Sequence, residues 1–133
     1  MLTHRIDPYS WARDAAIDME AILCVNNTFA SPHFQSPILH RADVVVQSVT
    51  KYIGGHSDVV MGAALTASRS IYRKLRFVQN GVGAVPGPFD FYLAHRGLKT
   101  LHLRMDVSAK NAMAVATFLE CHEGVRRVLY PVL

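Results

Sequence analysis

Two short β-branched runs, Asp43-Val44-Val45-Val46 and Asp58-Val59-Val60-Met61, bracket the segment from Gln47 to Ser57 and constrain this chain more than any other feature. Neither shows a helical period, and continuous apolar runs of this length read as buried parallel strands. Ser48-Val49-Thr50-Lys51 then leaves the sheet at the end of the first run. A lysine held at the dry end of a strand loses hydration, which lowers its pKa from the ordinary value of about 10.4 and makes a neutral amine accessible. Such an amine can form a Schiff base with a carbonyl ligand. Ser48 and Thr50 are two residues apart, so in an extended chain their hydroxyls point the same way and can donate to a phosphate on that ligand. The combination points to pyridoxal phosphate. The same four common residue types also suit a solvated turn lysine whose neighbours satisfy local backbone.

The rest of the sequence narrows the field. The chain has 133 residues, half of them hydrophobic and 18% charged, which is enough for one globular core. No apolar run reaches the length of a bilayer span, and Met1-Leu2-Thr3-His4-Arg5 is not followed by a signal-type apolar region, so a cytoplasmic location is expected. Cys24 and Cys121 are far apart without C-x-x-C spacing, and the expectation is two buried free thiols. The net charge of +4 comes from scattered Lys and Arg without an aromatic stacking pattern, which argues against nucleic acid. The histidines show neither H-E-x-x-H nor close ligand spacing, so no metal site is expected.

In chain order, Asp7-Pro8 supplies a cap and first-turn proline for a helix over 8–18. Ala21-Ile22-Leu23-Cys24-Val25 reads as a strand entering a loop at Asn26-Asn27, punctuated by Ser31-Pro32 and Ser36-Pro37. Ligands of open α/β sheets gather beyond the carboxyl ends of strands, so Asn26 and the segment 48–51 are expected to converge. Ile71, Leu75 and Val78 predict a helix opened by Ser68 and stopped by Asn80-Gly81-Val82-Gly83. Pro86-Gly87-Pro88 breaks the chain before a short helix through Phe91, Tyr92 and Leu93. A long helix is expected over 98–120, from the spacing of Leu101, Met105, Ala112, Val115, Ala116 and Leu119, and a strand over 124–130.

Ser48-Val49-Thr50-Lys51-Tyr52, with Gly55-His56-Ser57-Asp58-Val59-Val60-Met61-Gly62 after it, resembles the cofactor-lysine segment of the transsulfuration enzymes, the cystathionine gamma-lyases above all. The match continues in order through Val25-Asn26-Asn27-Thr28-Phe29-Ala30-Ser31-Pro32, Leu75-Arg76-Phe77-Val78-Gln79-Asn80, Gly83-Ala84-Val85-Pro86 and the stretch from Arg96 to Arg104. It covers nearly the whole chain but only the middle third of a family subunit, so a fragment or truncated relative is expected.

The resemblance implies an α/β fold: part of the large domain of a fold-type I pyridoxal-phosphate enzyme, a mostly parallel sheet flanked by helices. Residues 1–107 would be the later part of that domain, and residues 108–133 the connecting helix and the start of the small domain. It implies Lys51 as the lysine that bonds the cofactor and transfers protons, Ser48 and Thr50 as phosphate contacts, and Asn26 as the residue that meets the pyridine nitrogen. The family has aspartate at that last position, in a V-D-N-T motif, so the departure falls on the electron sink. The implied substrate is L-cystathionine, cleaved by γ-elimination in a homo-oligomer, tetrameric in the family. The implied alternative for this chain is a non-catalytic remnant that associates with complete subunits. Arg96, Lys99 and Arg104 match family positions too, but charges at a helix start and along its face read as structural.

Overall fold

A computed structural model describes residues 9–130, and within it three strands form one sheet in the order β1-β2-β3. Strand β1 (Cys24–Asn26) runs parallel to β2 (Val44–Ser48), in the register Cys24↔Val44, Val25↔Val45, Asn26↔Val46. Strand β3 (Gly62–Leu65) returns antiparallel on the other side of β2, pairing Ser48 with Gly62 and Val45 with Leu65. The run Asp58–Met61, expected to be a buried parallel strand, is therefore not one: the strand begins one residue later and runs the other way. Val59 alone in that run is buried, and Val60 is 89% exposed. Residues 49–61 between β2 and β3 hold a turn at Val49–Ile53 and no crossover α-helix of the kind that usually joins parallel strands, and β3 comes back along β2 antiparallel.

Helix α1 (Ser10–Asp18) precedes β1, and the Asp7-Pro8 cap expected for it lies outside the described residues. Between β1 and β2 lie the single-turn helix α2 (Ser31–Phe34) and a 3₁₀ turn at Pro37–His40. Asp43 fastens the start of the parallel pair: its carboxylate accepts from the Leu23 N–H at 2.9 Å, and its own N–H donates to the Leu23 carbonyl at 3.0 Å. Val25, Ala42 and Val45 form a small core there, with Tyr9, Leu23 and Ile38 packed against it.

Helix α3 (Arg69–Val82) matches its sequence signals closely. The Ser68 hydroxyl caps it by accepting from the Ile71 N–H at 3.4 Å, and Gly83 ends it at φ +70°, a conformation that suits glycine. Helix α4 (Pro88–Leu98) starts on a proline, with the Gly87 N–H held by the Asp90 carboxylate at 2.9 Å. Helix α5 (Leu101–Glu120) is the expected long helix, entered three residues later than its apolar spacing indicated. Leu101, Met105 and Ala116 are its buried positions. The strand expected over 124–130 is absent from the described part of that stretch, 124–130, which has no regular structure. Both cysteines are free, as expected, but exposed rather than buried. Cys24 lies on a strand of only three residues whose outward face is uncovered, so its apolar neighbours do not bury it.

Candidate functional site

The parallel pairing of β1 and β2 places their carboxyl ends side by side. The Asn27 N–H donates to the Val46 carbonyl at 3.0 Å, and one residue further the Thr28 hydroxyl accepts from the Ser48 N–H at 2.8 Å. Asn26 and Ser48 thus end neighbouring strands, as the sheet topology predicts. The Asn26 side chain is exposed and its carbonyl oxygen accepts from the Thr28 N–H at 3.1 Å, a local turn that aspartate would make equally well.

After Ser48 the extended chain stops. Residues Val49–Ile53 form one wide π-type turn, closed by Gly54 N–H to Val49 carbonyl at 2.7 Å and Gly55 N–H to Lys51 carbonyl at 2.8 Å. Inside it Lys51 departs from helical backbone, at φ −84° and ψ −118°. Ser48 and Thr50 are consequently not two positions along one strand, which corrects the extended geometry expected for them. Thr50 is pinned to the chain ahead of β3: its hydroxyl accepts from the Met61 N–H at 3.0 Å and donates to the Met61 carbonyl at 3.3 Å. The Ser48 hydroxyl has no hydrogen-bond partner among the described residues.

Lys51 is exposed, so the dry strand end expected for it is not what surrounds it. It stands on the wall of an open concavity of about 730 Å³, with Phe29, Thr50, Tyr52, Asp58 and Val60 among the residues around it. Ser48 and Asn26 lie outside that lining, as the last residues of β2 and β1.

The turn rests on the junction of α4 and α5. Arg104 reaches back from α5 with Nη1 donating to the Tyr52 carbonyl at 2.5 Å and Nη2 to the Gly97 carbonyl at 2.7 Å and the Ile53 carbonyl at 3.3 Å. Its Nε donates to the Thr100 hydroxyl at 3.1 Å. Sequence reasoning set Arg104 aside. Besides its match to a family position, the available signal was Gly97, a glycine inside a helical stretch, where it costs stability unless another backbone must come close. A Cβ at Gly97 would overlap the Gly54 carbonyl oxygen and lie 2.5 Å from that of Ile53.

These residues fit a ligand that carries an aldehyde and an anionic group. An exposed primary amine lines the concavity, an uncommitted hydroxyl sits at the strand end, and the Thr50 proton is held by a long bond that a better acceptor can displace.

Residues 9–133 match the family model described as Cys/Met metabolism PLP-dependent enzyme. Cystathionine gamma-lyase of Dictyostelium discoideum is 59% identical over 111 residues, 84% of this chain and 29% of that protein. Cystathionine gamma-synthase of Mycobacterium tuberculosis is 58% identical over 114 residues, 86% of this chain and 29% of that protein. Among solved structures, cystathionine gamma synthase from Xanthomonas oryzae pv. oryzae, in complex with aminoacrylate and cysteine, superposes with a TM-score of 0.89 at 41% identity, over 92% of this chain and 32% of that one. The chain thus spans about 30% of the length of these relatives, and its α/β architecture is a segment of theirs, the fold-type I fold. It belongs to the Cys/Met metabolism PLP-dependent enzyme family.

Proposed function

We propose that this chain bonds pyridoxal phosphate through Lys51 and forms the lysine-bearing segment of an enzyme that cleaves L-cystathionine by γ-elimination to cysteine, 2-oxobutanoate and ammonia. The observation that carries this reading is the exposed Lys51 amine on a concave wall beside the joined carboxyl ends of β1 and β2. Bound there, the cofactor supplies an electron sink for the carbanion left when a substrate proton departs. Lys51 would hold the cofactor, and its amine would take up the proton that leaves the substrate. Ser48 and Thr50 would offer hydroxyls to the phosphate, Thr50 by giving up its 3.3 Å bond to the Met61 carbonyl. Asn26 would offer an uncharged amide to the pyridine nitrogen.

Titration with pyridoxal phosphate, followed by visible absorbance, tests the reading. A saturable band that Lys51→Ala removes is expected; the same spectrum from both proteins would overturn it.

Asn26 favours a second reading, in which the chain does not turn over and associates with complete subunits of its family. The family aspartate would supply a charge that asparagine lacks. Co-expression with a complete homologous subunit separates the two, since only the second reading needs a stable mixed assembly.

A further inference from the structure

We propose that Arg104 is the positioning residue of Lys51: its guanidinium fixes the backbone just beyond Lys51 and so sets where the exposed amine can reach. This rests on the reading of Lys51 as the cofactor-bonding lysine. Four acceptors from three segments meet the one guanidinium: the Tyr52 and Ile53 carbonyls of the turn, the Gly97 carbonyl of α4 and the Thr100 hydroxyl at the start of α5. Tyr52 and Ile53 follow Lys51 directly, so the fork holds the two peptide groups next along the chain. On the other side, Thr50 is tied to Met61 through both its hydroxyl and its N–H, the latter at 3.2 Å. The Lys51 backbone is therefore restrained from both directions while its side chain remains in solvent.

Arg104 is in neither of the two ion pairs among the described residues, Arg13–Asp14 and His33–Asp106. Its donors go instead to main-chain oxygens and a hydroxyl, an arrangement that uses the rigid fork of arginine and that the point-like ammonium of lysine cannot reproduce. The surroundings are built to admit it. Gly55 stands at φ +73°, and a Cβ there would overlap the guanidinium. Gly97 likewise leaves room for the turn to lie against α4.

The test uses the full chain with Arg104→Met and Arg104→Lys and two readouts. One is amide hydrogen exchange at Gly54 and Gly55, whose N–H groups close the turn, measured without cofactor. The other is the share of pyridoxyl label on Lys51 relative to Lys74, Lys99 and Lys110 after incubation with pyridoxal phosphate and borohydride reduction. Exchange about tenfold faster at Gly54 and Gly55 is expected in both variants, with α3 unaffected, together with loss of the Lys51 preference. A general structural role would instead raise exchange throughout the molecule. Unchanged exchange at the turn, or an undiminished Lys51 preference in Arg104→Met, would overturn the proposal. If the unsubstituted chain shows no Lys51 preference, the cofactor reading fails, and with it the proposed positioning role. Should Arg104→Met not fold, Thr100→Val removes a single acceptor, and faster exchange confined to the same two amides is then the expected result. No change there would count against the clamp.

Discussion

The Ser48 N–H and the Thr28 hydroxyl oxygen stand 2.8 Å apart, so a side chain from the loop after β1 satisfies the main chain at the end of β2. Thr28 is 8% exposed, and this bond holds the two carboxyl strand ends together where the ladder has run out. Thr28→Val keeps the shape and removes the acceptor. A loss of about 1–2 kcal/mol in urea unfolding is expected, with Thr28→Ser recovering most of it.

The glycines separate by what surrounds them. Gly97→Ala drives a methyl group into the Gly54 and Ile53 carbonyls, whereas a Cβ at Gly81, inside α3, meets nothing within 4 Å. Gly97→Ala should cost about 2 kcal/mol or more and Gly81→Ala should stabilise by about 0.5–1 kcal/mol. Thermal unfolding of the two variants in parallel checks both signs.

Much of the helical half was legible because its signals are local. Ser68 and Gly83 bound α3 through the capping interactions their residue types provide, and Pro88 opens α4. Strand β3 was not legible. Gly62-Ala63-Ala64-Leu65 has poor β-propensity and is a strand because β2 offers it a partner, while the more strand-like Asp58–Met61 is consumed by the return from the turn. The same holds at the site. The position of Lys51 beyond a strand end followed from the run before it, but its exposure and its support by Arg104 depend on a residue 53 positions away that only the folded chain brings near.

Gln47 Oε1 and Asn27 Oδ1 are buried without a hydrogen-bond partner among the described residues, and both residues line an apolar cavity of about 630 Å³ between the sheet and α4. A buried acceptor left unmade costs about 1–3 kcal/mol. Gln47→Met, which keeps length and drops the amide, should raise the unfolding midpoint; a lower midpoint would show that the amide is satisfied in solution.

Large apolar side chains stand in solvent, among them Val60 at 89%, Leu39 and Phe77 at 81% and Phe29 at 79% exposure. Among the described residues, strands β1 and β3 are each paired on one side only. Exposed apolar surface and open strand edges recruit partners. Sedimentation at micromolar concentration should show self-association, and a single monomeric species would contradict it.

Asn26 should matter once the site is loaded. A carboxylate beside the pyridine nitrogen favours its protonated form, and a two-unit shift of that pKa is worth about 2.7 kcal/mol, on the order of a hundredfold in rate if it reaches the transition state in full. With this segment grafted into a complete homologous subunit, Asn26→Asp is expected to raise the elimination rate by up to about that factor at matched cofactor occupancy. Equal rates would rule out an electrostatic role for the position.

Borohydride reduction of the chain with pyridoxal phosphate, followed by peptide mapping, addresses Lys51 most directly. A stable pyridoxyl adduct concentrated on the peptide containing Lys51, and absent from Lys51→Ala, is the expected result. Label spread evenly over Lys51, Lys74, Lys99 and Lys110, or unchanged in Lys51→Ala, would contradict it.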